Sequence, residues 1–577
     1  MKKKFLSVLM AACMVCSLAA CGNDSGQQSS AGNTGSEGSS SSVVENSEAS
    51  GAENSGAEAG GEASGELVDG RFAETRHISV EVYDRGNDGG SDPTNNKYTE
   101  YIKKGMLEDH NVEVEFVKVP RWTEVEQINN LLAAGDAPDI CLTYDYATIQ
   151  IYADMGGVID LAPLVDANVD ITPNLWNWLE DANINYDRNP KTGTLWAIEG
   201  KRADIKRINT FVRRDWLEAL NMEAPTTAQE FEDMLVAFKE NASTLLGADA
   251  DKMVPFSITT DVTWRAANII DSYRDPAITD KEQYVNGYHV IARDGTKEAI
   301  RLVNKWYNMG LIWKDFALYD TSGTEETDMM KSGYVGAFIH NWDLPYRDGE
   351  DGIQANLQRL VGENAAYVAI DCFPDTAGKY SKSSYSTAGD RKLFFPTTND
   401  EPLASLLYLD WISDPEHIKY LQIGDEGVTH EVFEDGAIGI IPATGDAIMN
   451  SGQNIDYTIT CNGLNMFDDE LTAKSAAHNY AAVAPELIIT ASEMAMHDAL
   501  IPKAVQVGEI SSESGMGSIL GDKVKVMLSN CVMAPEADFD KTWDDAYTDW
   551  LNSGAQAIID ERLQKWEETY GDAEMLP

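Results

Sequence analysis

Two alternating runs of residues, separated by a segment with helical spacing, set the architecture of this chain. "HISVEVY" at 77–83 and "VEVEFVKV" at 112–119 alternate apolar and polar residues, which is the pattern of a half-buried β-strand. The segment "KYTEYIKKGMLEDH" between them carries helical spacing. A strand, a helix and a second strand form the first unit of a layered sheet covered by helices. We therefore expect an α/β fold.

The pattern continues with "VEQINNLLAAGDAPDICLTY". Ile128 and Leu132 share one face of a predicted helix, Gly135 is expected to end it, and Pro138 prevents the helix from resuming. Residues 139–142 read as a buried strand, and "YADMGGVIDLAPLVDAN" predicts a further helix, a turn and a short helix. Helices and strands thus keep alternating along the chain.

The N-terminus has the pattern of a secretory signal peptide. Three lysines, Lys2 to Lys4, precede an apolar run from Phe5 to Ala20, which is shorter than the roughly 20 apolar residues that a bilayer span needs. Its ending, "LAAC", resembles a bacterial lipobox. That resemblance implies that residues 1–20 are cleaved off before Cys21 and that Cys21 carries lipid, including palmitate. It also implies a location on the outer face of the cell membrane. The alternative is an ordinary signal peptide followed by a chance cysteine.

The segment that follows is expected to be a tether. Residues 22–66 consist almost entirely of Gly, Ser, Ala, Glu, Asn and Gln and contain no aromatic residue. Such a segment buries too little apolar surface to offset its ordering entropy. We assign residues 21–75 to the lipidated cysteine and a disordered linker.

Charge and cysteine content limit the possible partners. The chain of 577 residues has a formal net charge of −51, which argues against nucleic acid or an anionic membrane surface as a partner. Four isolated cysteines lie beyond Cys21 and form no CxxC pair: Cys141, Cys372, Cys461 and Cys531. Two disulfides could join these four residues in three ways, and the sequence does not choose among the three pairings.

Several segments, taken in order, resemble one family. "LLAAGDAPDI" precedes "GGVIDLAPLV", and "FVRRDWLEALNMEAPTTAQEFEDMLVAF" is followed by "LVNKWYNMGLIWKDF" and "MMKSGYVGAFIHNW". The segments "WISDPEHIKYLQIGDEGVTHEVFEDG" and "RLQKWEETYG" complete the series. Over about 76–570 the chain resembles family 1 of the extracellular solute-binding proteins of ABC importers, which includes maltodextrin- and other oligosaccharide-binding lipoproteins.

The resemblance implies a fold and a division of the chain. The fold is the α/β, two-lobed type II periplasmic-binding-protein fold, in which discontinuous lobes are joined by a hinge and the ligand cleft lies between them. We place lobe 1 at 76–205 plus 370–425, and lobe 2 at 206–369 plus 426–577.

The resemblance also implies a function. The protein would be a monomeric substrate-binding lipoprotein that captures a carbohydrate, in particular an oligosaccharide, and delivers it to the permease subunits of an ABC importer, without a cofactor or metal and without enzymatic activity. Two alternatives stay open. One is a binding protein for a peptide or polyamine, the latter favoured mildly by the acidic charge, and the other is a surface glycan-degrading enzyme.

A sugar site combines aromatic faces, which cover pyranose C–H surfaces, with planar polar side chains that bind hydroxyls. Trp342 ends an apolar strand, where open α/β sheets place ligands, and matches the position of a stacking tryptophan in maltodextrin-binding relatives. Trp264 and Arg265 follow another predicted strand, in a segment where relatives carry a stacking aromatic residue. Core packing is the alternative role for each.

The remaining candidates also follow predicted strands. Trp122 comes just after the second strand, and the others correspond to polar or aromatic contacts in the family: Asp84, Arg85, Tyr144, Asp145 and Tyr146. Other residues are expected to be structural: Arg213, Arg214, Trp216, Trp306 and Trp313.

The sequence contains no complete motif for metal binding or catalysis. Some relatives bind calcium in a loop before a Pro-Phe strand, but here the loop before Val254 offers only Asp249 and Asp251. The sequence has no HExxH, GxSxG or P-loop motif. No pair of carboxylates stands out as the acid and nucleophile of a glycosidase.

Overall fold

The computed structural model describes residues 67–86, 91–319, 323–451, 454–480, 482–508, 510–513 and 516–576. The predicted signal peptide, Cys21 and the tether up to residue 66 lie outside these residues. Within the described ranges, no helix combines the length and the apolar character that crossing a membrane requires.

The strands alternate with helices as the sequence predicts, and their bounds are as follows: β1 (Leu67–Val68), β2 (Arg71–Phe72), β3 (Arg76–Asp84), β4 (Val112–Pro120), β5 (Cys141–Thr143), β6 (Ile198–Arg202), β7 (Ile208–Arg213), β8 (Val254–Ser257), β9 (Val335–Asn341), β10 (Tyr367–Ile370), β11 (Arg391–Phe394), β12 (His430–Val432), β13 (Ile438–Ile440) and β14 (Cys461–Asn462).

The α-helices of the described ranges are α1 (Lys97–His110), α2 (Glu124–Ala134), α3 (Tyr146–Asp154), α4 (Ala162–Ala167), α5 (Pro173–Ile184), α6 (Arg214–Ala219), α7 (Ala228–Glu240), α8 (Ala242–Leu246), α9 (Val262–Arg265), α10 (Ala267–Ser272), α11 (Asp280–Asn286), α12 (Thr296–Asn308), α13 (Glu325–Lys331), α14 (Ile353–Val361), α15 (Pro402–Trp411), α16 (Pro415–Ile423), α17 (Asp469–His478), α18 (Pro485–Met496), α19 (Gly517–Met533), α20 (Phe539–Trp550) and α21 (Gln556–Tyr570).

The first lobe is built on strands from both halves of the chain. β3 and β4 pair in parallel from Arg76–Val112 to Asp84–Pro120, and a parallel bridge between Val80 and Ile140 places the segment entering β5 on the other side of β3. β5 continues into a sheet of order β14-β6-β11-β5. In β4 every second residue from Val112 to Phe116 is buried, which confirms the alternation seen in the sequence.

The second lobe holds a four-stranded sheet of order β10-β7-β9-β8. β8 and β9 are parallel, whereas β7 runs antiparallel to both β9 and β10. All six residues of β7 are buried. A strand that is buried on both faces need not alternate, and β7 buries Asn209, Thr210 and Arg213 together with its apolar residues.

Separate hydrophobic cores define the two lobes. One buried cluster draws on residues 72–198 and 393–461, and two adjoining clusters draw on 208–373 and 477–558. The chain therefore passes between the lobes at 203–207 and at 374–390, and again after residue 462. We call 203–207 and 374–390 the crossing segments.

Some residues pack in the core of a different lobe from the one to which the predicted division of the chain assigns them. Phe373 packs with the second lobe, although the prediction assigned 370–425 to the first, and Tyr457 packs with the first lobe. Residues 67–72, expected in the linker, form the hairpin β1–β2, and Phe72 is buried in the first core. The exact lobe limits stay a prediction.

The four cysteines of the body are free thiols, each buried in its lobe. Burial raises the pKa of Cys141 and Cys372 well above the usual value, and raises the pKa of Cys461 and Cys531 to about 12. None of the three possible disulfide pairings is present.

Candidate functional site

The first lobe presents the carboxyl ends of three parallel strands at one edge of its sheet. β3 ends at Asp84, β4 at Pro120 and β5 at Thr143. Open α/β sheets bind ligands outside such an edge. The structure brings these predicted site residues to it: Asp84, Arg85, Trp122, Tyr144, Asp145 and Tyr146.

Glu124 ties these strand ends together. Its carboxylate accepts hydrogen bonds from the hydroxyl of Tyr83 at the end of β3, and from the backbone N–H of Tyr144 just after β5 at 3.2 Å. Glu124 is 6% exposed and is the first residue of α2, which follows β4. One buried carboxylate therefore fixes the relative positions of all three strand ends.

Trp122 is the most exposed aromatic residue at this edge. Its side chain is 75% exposed, in a short turn that begins where β4 ends. The guanidinium of Arg121 lies 5.5 Å from the indole centroid of Trp122 and 4.4 Å from the ring of Tyr144. An exposed indole held in this way offers an apolar face to a sugar ring.

Tyr144 and Asp145 are held by neighbouring side chains. The hydroxyl of Tyr144 accepts a hydrogen bond from Nε of the buried Arg391 at 3.1 Å. The carboxylate of Asp145 accepts one from the hydroxyl of Thr148 at 2.7 Å, within the first turn of α3. Both side chains are partly exposed.

Asp84 and Arg85 have partners within the protein. Asp84 Oδ1 accepts a hydrogen bond from the backbone N–H of Gly86 at 2.9 Å. Arg85 donates from Nε and Nη2 to the two carboxylate oxygens of Asp456, at 2.7 and 2.8 Å. The Arg85 guanidinium therefore joins two parts of the first lobe.

The second lobe presents a corresponding edge next to a crossing segment. The parallel strands β8 and β9 end at Ser257 and Asn341, and Trp264 and Trp342 follow them. The antiparallel strand β7 starts at the same edge, because Ile208 pairs with Asn341.

Trp342 lies against this crossing segment. Its backbone N–H donates to the carbonyl oxygen of Arg207 at 3.1 Å, and Lys206 Nζ lies 4.8 Å from the indole centroid. Tyr480 contacts the ring edge-on at 6.2 Å between centroids. The side chain is only 7% exposed, so Trp342 shows little surface to solvent in this conformation.

Trp264 and Arg265 differ sharply in exposure. Trp264 is half-buried in α9, whereas Arg265 is 2% exposed. Arg265 forms a two-point ion pair with Glu326, with Nη2–Oε2 at 2.7 Å and Nε–Oε2 at 3.0 Å. The charge of Arg265 is thus matched inside the lobe, and the pair fastens α9 to α13.

A cavity of about 620 Å³, open to solvent, lies beside Trp264. We call it the Trp264 cavity. The sequence reasoning missed most of its polar lining: Arg207, Tyr288, His289, Arg293, Asp271 and Ser383. One signal was available, because four of the seven residues in "KRADIKR" (201–207) are basic in a chain of net charge −51.

Asp271 connects the wall of the Trp264 cavity to the second crossing segment. Its Oδ2 accepts hydrogen bonds from the backbone N–H and hydroxyl of Ser383, at 3.0 and 2.8 Å. Its Oδ1 accepts from Arg274 at 3.2 Å and from Arg293 at 3.4 Å. Both crossing segments therefore contribute to this cavity.

A second cavity, of about 510 Å³, joins the first lobe to the segment after α18. It is lined by Tyr146, Asp187 and Trp196 on one side and by Gln506 on the other. Gln506 Nε2 donates to Asp187 Oδ1 at 2.8 Å. Burial raises the pKa of Asp187 to about 6, although Glu199, Lys392 and Gln506 oppose that shift.

Within the described part of the chain, no group of three or more His, Cys, Asp or Glu side chains is arranged to hold a metal ion. Asp249 and Asp251 lie in a short 3₁₀ segment before β8, where Asp249 pairs with Lys252 at 2.9 Å.

Comparison with known proteins identifies related sequences. A family model for bacterial extracellular solute-binding proteins matches residues 100–430, more than half of the chain. The polygalacturonan/rhamnogalacturonan-binding protein YtcQ of Bacillus subtilis (strain 168) is 25% identical over 339 residues, 56% of this chain and 62% of that protein, so the match spans about three fifths of that relative's length. Lipoprotein LipO of the same organism is 21% identical over 467 residues, 78% of this chain and 85% of LipO.

Solved structures share the fold. A solute-binding protein of Bifidobacterium longum infantis, described as HMO-binding and ABC-transporter-associated, aligns over 86% of this chain and 100% of its own with a TM-score of 0.58 and 16% identity. The substrate-binding protein FusA of S. pneumoniae, in complex with kestose, aligns over 86% and 100% with a TM-score of 0.51 and 14% identity. The predicted two-lobed α/β fold is confirmed.

Proposed function

The chain belongs to the bacterial extracellular solute-binding proteins, and from that premise we propose that it captures an oligosaccharide and delivers it to the permease of an ABC importer. Three relatives support the choice of ligand, since their names or titles refer to polygalacturonan and rhamnogalacturonan, to HMO and to kestose. The protein acts in this proposal as a binding protein and not as an enzyme.

One structural observation carries the proposal. Each lobe has a tryptophan with accessible surface at the carboxyl edge of its parallel strands, the exposed Trp122 in the first and the half-buried Trp264 in the second. Aromatic faces next to polar side chains are what a pyranose ring needs, because its C–H face is apolar and its rim carries hydroxyls.

The proposed contacts extend around these two tryptophans. On the first lobe they are Asp84, Tyr144, Asp145 and Tyr146. The other predicted site residues, Arg85, Arg265 and Trp342, are largely buried and contact neighbouring side chains, so in this proposal they support the site from within each lobe. The lobes would close on the sugar by movement at the crossing segments, with each lobe keeping its own core.

We propose further that the protein is a lipoprotein anchored through Cys21. The lipobox-like ending of the apolar run supports this assignment, as does the similarity to lipoprotein LipO. The anchor would keep the protein, as a monomer, at the outer face of the membrane that holds its permease.

Calorimetric titration of the purified protein with a panel of neutral and acidic oligosaccharides tests the proposal, alongside a peptide mixture and polyamines as competing ligand classes. We expect saturable binding of an oligosaccharide and a rise in melting temperature, because a ligand that binds only the folded state stabilises it by RT ln(1 + [L]/Kd). The bound sugar should be recovered uncleaved. Binding of a polyamine or peptide alone, or release of shorter sugars, would overturn the assignment.

A further inference from the structure

The wall of the Trp264 cavity is rich in cationic groups, in contrast to the rest of the chain. The net charge of the protein is −51, yet Arg207 and Arg293 line this cavity and Arg274 adjoins it. The lining contains one carboxylate, Asp271, and Asp261, at the start of α9, acts on the neighbouring His289. The lining itself therefore holds two guanidinium groups and one carboxylate.

Arg207 is placed to bind an anion. Its guanidinium carbon lies 4.6 Å from the indole centroid of Trp264. In the part of the chain that the structure describes, no carboxylate forms an ion pair with it. A guanidinium that lies over an aromatic ring keeps the N–H donors along its edge available, and their fork matches the two oxygens of a carboxylate.

Arg274 and Arg293 share one carboxylate, that of Asp271, which also accepts hydrogen bonds from Ser383. Both donate to the same oxygen of Asp271, at 3.2 and 3.4 Å, while the other oxygen accepts two hydrogen bonds from Ser383. The buried Nε of Arg274 has no hydrogen-bond partner among the described residues. Burial lowers the pKa of Arg293; Asp271 opposes this shift, and the nearby cations Arg274 and Arg207 add to it.

Acidic side chains near these arginines do not neutralise them. Asp275, Glu282 and Asp294 line a neighbouring cavity that Arg274 and Arg293 also border. Among the described residues, the ion pairs of Arg274 and Arg293 are those with Asp271 alone.

Neutral polar groups complete the lining. Burial lowers the pKa of His289 to about 4, so this imidazole is uncharged at neutral pH, and its Nδ1 has no partner among the described residues. Tyr288 lies beside it in the cavity wall. An uncharged imidazole and a phenol are suited to sugar hydroxyls.

We propose that the Trp264 cavity recognises a carboxylate-bearing sugar, a uronate unit, with Arg207 as the two-point partner of the carboxylate and Arg293 as a second cation. This inference rests on the proposed function and narrows it to oligosaccharides that carry acid groups.

The test uses ligand pairs that differ only in charge. Oligomers of galacturonate, mannuronate and glucuronate are titrated into the purified protein, each beside its fully methyl-esterified form, together with neutral oligosaccharides. We expect at least one acid to bind about tenfold or more tightly than its ester, because a hydrogen bond to a charged group contributes more than one to a neutral group. Binding of the acid should weaken as salt is added.

Variants assign the effect to the cavity. Arg207→Gln and Arg293→Gln should each weaken binding of the acid about tenfold or more and weaken binding of the ester much less. Arg207→Lys, which keeps the charge but loses the fork, should fall between wild type and Arg207→Gln. The matched control is Arg359→Gln, at an exposed position on α14. Melting curves show whether each variant is folded.

The outcomes separate the two proposals. An ester that binds as tightly as its acid, Arg207→Gln with unchanged affinity for the acid, or binding of neutral oligosaccharides alone would overturn the uronate assignment and leave sugar binding intact. If no saccharide binds the folded wild-type protein, both proposals fail.

Discussion

Arg85 and Asp456 form a two-point ion pair across 371 positions of sequence. The side chain of Asp456 is fully buried and that of Arg85 is 13% exposed. Asp456 also accepts a hydrogen bond from Asn450 at 2.9 Å. The end of β3 is therefore held to the segment that leads into β14. This contact fixes that late segment of the chain to the first lobe.

Arg85→Ala should destabilise the protein. Removing one partner of a buried pair leaves an uncompensated charge, which costs about 3–5 kcal/mol. Chemical denaturation measures the loss, and Arg359→Ala, whose pair with Glu350 is exposed, should cost about 1 kcal/mol or less. If Arg85→Ala instead lowers ligand affinity at unchanged stability, Arg85 is a ligand contact and not a structural tie.

Trp342 and Trp264 should respond differently to replacement by alanine. Trp342 is 7% exposed, so Trp342→Ala should lower the free energy of unfolding by about 3–5 kcal/mol. Trp264 borders an open cavity, so Trp264→Ala should cost less stability and lower affinity for the sugar by about tenfold or more. Melting and calorimetric titration of both variants decide the roles. A reversed pattern would make Trp342 the residue that stacks on the ligand.

Asp187 should make stability depend on pH. Its pKa in the folded state is about 6, against an ordinary value of 3.8. The stabilisation from the protonated form is full below about pH 4 and is lost as pH rises through 6. We therefore expect Asp187→Asn to gain stability relative to wild type as pH rises over this interval. The exposed Asp136→Asn is the control, and a constant difference between wild type and Asp187→Asn from pH 4 to 7 would contradict the prediction.

Cys21→Ser should detach the protein from membranes or leave its signal peptide uncleaved. The reason is that the lipid would be joined to the sulfur of this residue. Fractionation with and without detergent, with mass determination of the product, tests the expectation. Detergent-dependent, processed protein in the variant would rule out the lipoprotein assignment.

Ligand should make the molecule more compact. Two lobes with separate cores, joined by the crossing segments, gain contacts when they close on a solute. Small-angle scattering of protein lacking residues 21–66 should show a smaller radius of gyration when ligand is bound. Superimposable curves at saturation would count against a cleft that closes.

Local structure could be predicted well where its cause lies in neighbouring residues. The helix predicted to end at Gly135 is α2, and Gly135 adopts a φ of +75°, a conformation that glycine adopts without strain. Trp306, expected in the core, is fully buried, and the predicted structural residue Arg213 is 1% exposed and pairs with Asp215. Each of these expectations follows from spacing or a recognised motif.

The partners of charged side chains could not be predicted in the same way. Glu326 lies 61 residues from Arg265, and Ser383 lies 112 residues from Asp271. No periodicity in the sequence links such positions, because the pairing arises only when strands and crossing segments assemble. For the same reason the sequence identified Trp264 as a candidate site residue, but it did not identify Arg207, whose guanidinium lies over the ring of Trp264.

The four buried cysteines have a practical consequence for measuring motion. Thiols with raised pKa values carry little thiolate at neutral pH and react slowly with maleimides. In protein produced without residues 1–66, new cysteines at the exposed positions Lys104 and Arg359 would therefore take up fluorescent dyes selectively, one on each lobe. Energy transfer between the two dyes would report the opening and closing of single molecules without any native residue of the cleft being altered.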